Sequence, residues 1–303
     1  MRSEHTIDGV DGTPLHAWLY PAAEATGPAP AVVMAHGIGG VKSAGLAPFA
    51  ERFAAAGYTC VVFDYRHWGA SGGTPRELLS IRAQLADYRT VLAWTRDRAE
   101  VDPARLFVWG TSFAGMHVLE LAASEHGLAG AVAQCPLVDG LAGVLNVPPA
   151  RGLRLMRQAL TDRAGALRGR DPVYLPLIVE PGEFGVIATD DAMLGLRRLS
   201  PTDGTPWPNR ITARSLLDVT FSRPARRAPR ARCPLLLVVA EHDTMAPTRP
   251  AVRAAARAPH GELYRSRGGH YDVYAGGTDH EQVLAVELAF LDRRSGRGRL
   301  GGC

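Results

Sequence analysis

Lysine is almost missing from this 303-residue chain: Lys42 is the sole example, and arginine makes up the rest of its basic side chains. The formal net charge is only +4. A nucleic-acid binder gathers basic residues on one reading element, and no such motif is visible, so nucleic acid is not an expected partner. Cysteine is scarce too. Cys60, Cys135, Cys233 and Cys303 include no C-x-x-C pair, which argues against zinc-type and redox frameworks. The first three lie in or beside apolar runs and read as small buried hydrophobes. Neither a metal nor another cofactor is expected. No apolar run approaches the length needed to span a bilayer, so no membrane partner is expected either. The first eight residues lack the apolar core of a signal peptide, which points to the cytoplasm. What remains is ordinary for a globular protein, with 46% hydrophobic and 21% charged residues. A chain of this length buries a sizeable core without disulfides.

Along the chain, short apolar runs alternate with amphipathic stretches, and no internal repeat is visible. Glu4 to Tyr20 reads as two strands around a turn at Asp11-Gly12. Strand-like runs follow at 31–35, 59–63, 105–109, 128–133, 235–239 and 262–264. Between them lie helical patterns at 46–56, 76–98, 113–125, 250–258 and 280–291. Near-continuous apolar strands alternating with helices predict an α/β fold, a mostly parallel, doubly wound sheet covered on both faces. The rhythm breaks from Asp139 to Pro229. A structureless loop of that length is improbable in a compact domain, so this stretch is expected to be an inserted cap with helices of its own. The expected organisation is core at 1–138, cap at 139–229, core again at 230–294, and a flexible tail at 295–303.

The chemistry is expected where strands end. Ser112 follows the apolar run Leu106–Trp109 and precedes a helical pattern, with Gly110, Ala114 and Gly115 around it. Small residues at those positions allow a sharp strand-to-helix turn that projects the serine side chain. A G-x-S-x-[G/A] match alone arises by chance about 0.3 times in such a chain, so its weight comes from the strand and helix flanking it. The turn also aims the Phe113 N–H at a developing oxyanion. A second loop, His36-Gly-Ile-Gly-Gly40, follows the strand at 31–35 and offers the Ile38 N–H to the same point, with His36, Gly37 and Gly39 shaping it. A serine needs a base. His270, in a Gly-Gly-His-Tyr loop after the last strand run, suits that role better than His242, His117 or His126. Asp243, just beyond the run 235–239, is the expected orienting acid, with Asp139 and Glu241 as rivals. The order serine, acid, histidine is that of one known fold.

On these segments, together with Asp64-Tyr-Arg-His-Trp-Gly-Ala-Ser-Gly72, the chain resembles the α/β-hydrolase superfamily over nearly its whole length. The wording of the elbow and of Gly268-Gly-His270 is similar to the dienelactone-hydrolase-like and polyketide-transferase-like branch. Ala114 departs from the strict G-x-S-x-G pattern but is small enough for the same close approach. The resemblance implies hydrolysis of an ester, thioester or lactone of a hydrophobic, polyketide-like acyl group through Ser112, His270 and Asp243. The alternative is transfer of the acyl group by an acyltransferase or cyclase of secondary metabolism. A further alternative, a non-hydrolytic binder or isomerase, is one that fold alone does not exclude and that an intact triad argues against. Trp207, Phe184, Phe221 and Met193 are candidate pocket residues in the cap. Arginines from Arg151 to Arg170, with others from Arg223 to Arg232, suggest a basic rim. The expected partners are a small-molecule acyl substrate, an acyl carrier protein at that rim, and a second copy in a homodimer.

Overall fold

The computed structural model describes residues 2–296. In chain order its elements begin with β1 (Ser3–Asp8), β2 (Pro14–Tyr20), β3 (Ala29–Ala35), α1 (Ala47–Ala55) and β4 (Thr59–Phe63). Next come α2 (Ile81–Arg96), β5 (Val101–Thr111), α3 (Ala114–Ser124) and β6 (Leu128–Gln134). A long insert carries α4 (Gly140–Leu145), α5 (Pro149–Ala166), β7 (Tyr174–Pro176), α6 (Ala192–Leu199), β8 (Arg210–Thr212), α7 (Ser215–Phe221) and a 3-10 turn at Pro224–Arg230. The chain then returns as β9 (Leu235–Ala240), α8 (Thr248–Arg257), β10 (Gly261–Ser266) and α9 (His280–Ser295).

Eight strands form one sheet in the order β1-β2-β4-β3-β5-β6-β9-β10. The first three are joined antiparallel, and every pairing from β4 to β10 is parallel. The central strands are apolar throughout because both faces are covered. Alternate residues of β3 serve opposite layers. Ala31, Val33 and Ala35 join the core that includes Tyr88 of α2 and Val118 of α3. Val32 and Met34 pack with Phe49 of α1 and Leu284 of α9. This is the α/β-hydrolase fold, and the parallel, doubly wound sheet expected from the sequence is present.

The insert is helical with a small antiparallel ribbon of β7 and β8, a feature the sequence pattern did not announce. Leu155, Leu175, Ile211 and Val219 from the insert belong to the same apolar core as β3 and β5. The 3-10 turn packs on α3 and α8, with the helical layer of the sheet. Several boundaries differ from expectation, β5 for example running Val101–Thr111 where 105–109 was expected, and two have a clear physical reason. The helix expected from Arg76 starts at Ile81, because Glu77 sits at φ 55 and Arg76 donates to the Gly69 and Ser71 carbonyls of the preceding loop. At the other end Ser295 is not tail: it closes α9, buried, within hydrogen-bond distance of Tyr58 Oη. The rest of the expected tail, residues 297–303 with Cys303, lies outside the described residues. Among the described residues no helix is long and apolar enough to cross a membrane.

Candidate active site

The parallel strands deliver their loops to one edge of the sheet, where open α/β folds assemble sites. β5 ends at Thr111, and α3 begins three residues later. Ser112, between them, sits at φ 55, a left-handed conformation that is costly for a residue with a side chain. Tight packing holds it there. A Cβ on Gly110 would stand 2.7 Å from the Ala114 carbonyl oxygen, and one on Gly115 would collide with Pro136. Glycine at both positions lets α3 close onto β5 and β6, so the serine has no room to relax.

β3 neighbours β5, so the loop after β3 arrives beside Ser112. Ile38 of that loop and Phe113 of the elbow both line the cavity onto which Ser112 opens. Neither the Ile38 nor the Phe113 amide has a protein acceptor among the described residues. His36 is buried, in edge contact with the Tyr65 ring and with Nδ1 3.0 Å from its neighbour's carbonyl. Burial holds its pKa down. The loop's far end is fixed by a pair that the sequence reading missed. Lys42 Nζ lies 2.6 Å from Asp64 Oδ2, and Lys42 N donates to Asp64 Oδ1 at 2.6 Å, both side chains being buried.

His270 comes from the loop after β10 and is buried. Its Nδ1 lies 2.7 Å from Asp243 Oδ2 and its Nε2 3.0 Å from Ser112 Oγ. A carboxylate only accepts, so Nδ1 carries the proton, and neutral Nε2 accepts from the serine hydroxyl. Asp243 is itself oriented, its Oδ1 accepting from the Met245 and Ala246 amides at 2.8 and 2.7 Å. Burial works against the imidazolium, but the Asp243 carboxylate, with the nearby Cys135 sulfur, overrides it and holds the His270 pKa well above 6.5. The structure thus brings Ser112, His270 and Asp243 into one hydrogen-bonded chain. The rivals are occupied elsewhere. Asp139 caps α4 and binds Arg223 bidentately, and Glu241 faces Arg265. His117 is buried against Gln84, and His126 meets Arg232.

Two chambers meet at Ser112. The larger, about 350 Å³, is mainly apolar and runs under α4, α5 and α7, walled by Leu137, Val144, Val147, Leu155, Met156 and Val219. The smaller, about 40 Å³, lies on the His270 side and is walled by Trp207, Ile178, Leu199, Tyr271 and Tyr274. Of the expected cap residues, only Trp207 reaches either chamber, and its Nε1 donates to the Gly39 carbonyl at 2.6 Å. The other three need correcting. Phe184 lies under the Arg154 guanidinium, Phe221 is 75% exposed, and Met193 packs partly buried against the core. The lining comes from aliphatic residues of α4, α5, α7 and the segments beside them, with Leu155 and Met156 lying between the arginines of α5.

A serine elbow, a histidine and an acid at the carboxyl edge of such a sheet are the marks of an α/β-hydrolase enzyme. The chain belongs to the family described as serine aminopeptidase S33, whose pattern matches residues 26–270. It is 40% identical over 278 residues to the quorum-quenching protein AidA of Acinetobacter baumannii, covering 91% of this chain and 90% of that one. It is 30% identical over 305 residues to the polyketide transferase GrgF of a Penicillium species, covering 96% of each. The crystal structure of GrgF superposes with a TM-score of 0.83 over 98% of this chain and 99% of that one. A thiohydrolase of Eupenicillium brefeldianum is 26% identical over 296 residues, covering 95% of this chain and 93% of that one.

Proposed function

We propose that this enzyme is a serine hydrolase that cleaves an ester, thioester or lactone of a hydrophobic acyl group through an acyl-enzyme on Ser112. The observation that carries the reading is the chain from Ser112 Oγ to His270 Nε2 at 3.0 Å and from His270 Nδ1 to Asp243 Oδ2 at 2.7 Å, set at the mouth of an apolar cavity.

The steps follow from that geometry. Ser112 Oγ bonds to the carbonyl carbon as its proton passes to His270 Nε2. The carbonyl oxygen becomes an oxyanion, held by the Ile38 and Phe113 amides. The tetrahedral centre collapses, the bond to the leaving oxygen or sulfur breaks, and His270 returns its proton to that atom. Water then gives a proton to His270 and attacks the acyl carbon; the second tetrahedral centre collapses, the bond to Ser112 Oγ breaks, and His270 returns the proton to that oxygen as the acid leaves. Asp243 stabilises the imidazolium at each transfer.

Because His270 must protonate the leaving atom, the leaving group belongs in the small chamber that His270 lines, and the acyl chain in the large one. The acyltransferase reading draws its support from the similarity to GrgF, named a polyketide transferase. The quorum-quenching and thiohydrolase names of two other relatives sit well with hydrolysis of an apolar acyl compound.

An alkyl fluorophosphonate, whose leaving group is a single fluoride, is expected to add one phosphonyl group to the intact protein and none to Ser112→Ala. A series of methyl esters and lactones of rising chain length is expected to be hydrolysed by the wild type and not by Ser112→Ala. Unlabelled wild-type protein, with Ser112→Ala as active as wild type on every processed substrate, sinks the reading.

A further inference from the structure

The outer face of α5 is unlike the rest of the surface. Leu153, Leu160 and Leu167 recur at seven-residue steps and are 75%, 56% and 77% exposed. Leu145, just before the helix, is 76% exposed, and Phe221 at the end of α7, which packs on α5, is 75% exposed. Large apolar side chains left in water over such a stretch mark a contact surface.

The charges along α5 itself are mostly basic, with exposed acids only at its margins, Asp171 and Asp218. Residues 139–170 hold six arginines, Arg151, Arg154, Arg157, Arg163, Arg168 and Arg170, and two acids. Both acids are buried and engaged: Asp139 with Arg223, and Asp162 with the Val173 and Arg214 amides. None of the six arginines meets a carboxylate among the described residues. Elsewhere some arginines, such as Arg89, Arg105, Arg227 and Arg293, are paired, while others, such as Arg253 and Arg257 of α8, have neither an ion pair nor an exposed leucine row beside them among the described residues. Of the six, Arg151 turns inward and lines the large chamber with Leu155 and Met156, and Arg168 and Arg170 follow the end of the helix.

We infer that α5 lies on an anionic lipid surface, its exposed leucines entering the acyl boundary and its outward arginines, Arg157 and Arg163, meeting headgroup phosphates. A helix with leucines and unpaired arginines on one exposed face has the chemistry of a surface-lying amphipathic helix. A second copy on this face would set arginine against arginine, and a purely electrostatic protein contact leaves the leucines unused. The lack of a spanning run, from which the sequence reading expected no membrane partner, does not bear on a helix that lies flat. Docked this way, the enzyme meets apolar substrates where they partition, with the wall of their chamber against the bilayer. The inference is independent of the chemistry at Ser112.

The test is sedimentation of the full chain with phosphatidylcholine vesicles, with and without phosphatidylglycerol. Binding is expected to be at least tenfold stronger to the anionic vesicles and to weaken as salt rises. Leu153→Ser with Leu160→Ser, and separately Arg157→Gln with Arg163→Gln, are each expected to weaken that binding about tenfold or more. Arg253→Gln with Arg257→Gln on α8 removes the same charge and is expected to leave it unchanged. Circular dichroism and phosphonate labelling check that each variant is folded. Three results overturn the inference: no binding to either vesicle, binding that ignores the α5 substitutions, or binding that the α8 pair weakens equally. A dimer lost in the leucine variant gives the face to a second copy instead. Capture of an acidic carrier protein, without vesicle binding, gives it to a protein partner.

Discussion

His270 must be neutral to accept the Ser112 proton, and the Asp243 carboxylate favours its charged form. The two demands set the pH range of the enzyme. Because the His270 pKa is held above 6.5, kcat/KM is expected to fall as pH drops through an acid limb lying above that value. Asp243→Asn removes the strongest raising charge, so the limb is expected to move to lower pH while activity falls by about 10²–10⁴-fold. A pH profile of kcat/KM for both proteins checks the sign; a limb that does not move removes Asp243 from the role. At Lys42 the issue is stability. Lys42→Met leaves Asp64 charged and buried without its partner, and is expected to cost about 3–5 kcal/mol in urea unfolding. Adding Asp64→Asn is expected to recover part of that loss, whereas a surface pair would show neither effect.

At the scale of elements, the elbow was legible because every demand on it is local. An apolar strand, glycines where α3 closes on the sheet and a helix start all lie within one short segment. The insert was not. Its presence was expected from the broken alternation, but which faces of α4, α5 and α7 look inward depends on what they pack against. Phe184 and Phe221 drew attention as large aromatics, yet one lies under Arg154 and the other in solvent. Val144 of α4 lines the chamber without any sequence signal of its own. Val144→Phe is expected to fill part of that space and to lower the ratio of long-chain to short-chain methyl-ester kcat/KM by about tenfold or more, on the order of 1–3 kcal/mol of lost pocket contact. An unchanged chain-length profile places the acyl group elsewhere.

Across the whole molecule, the two faces of the sheet do different work. The α2 and α3 layer shares its core with most of the insert, while the mostly apolar α1 and α9 layer shares its own with Leu199 of the insert and with Tyr271 and Tyr274 of the small chamber. Glu287 of α9 is fully buried in that second layer, with Oε2 accepting from Trp109 Nε1 at 3.0 Å, and burial pushes its pKa up to about 8. The folded state therefore keeps a proton that the unfolded chain loses near 4.5. Stability from this group is complete below that pH and drains away as pH rises toward about 8. Relative to wild type, Glu287→Gln is expected to raise Tm increasingly over that window, by several °C on the order of magnitude at its upper end. A constant offset between the two Tm curves argues that the carboxyl is already ionised in the fold. Taken alone, the sequence determined the α/β sheet, the elbow at Ser112 and the chain order of acid and histidine, because strand period, turn chemistry and order are carried by residues near one another. Only the tertiary structure decided the Lys42–Asp64 tie, the two chambers that part at Ser112 and the solvent-facing leucines of α5. Each of those depends on which distant surfaces meet, and residue type and spacing do not encode it.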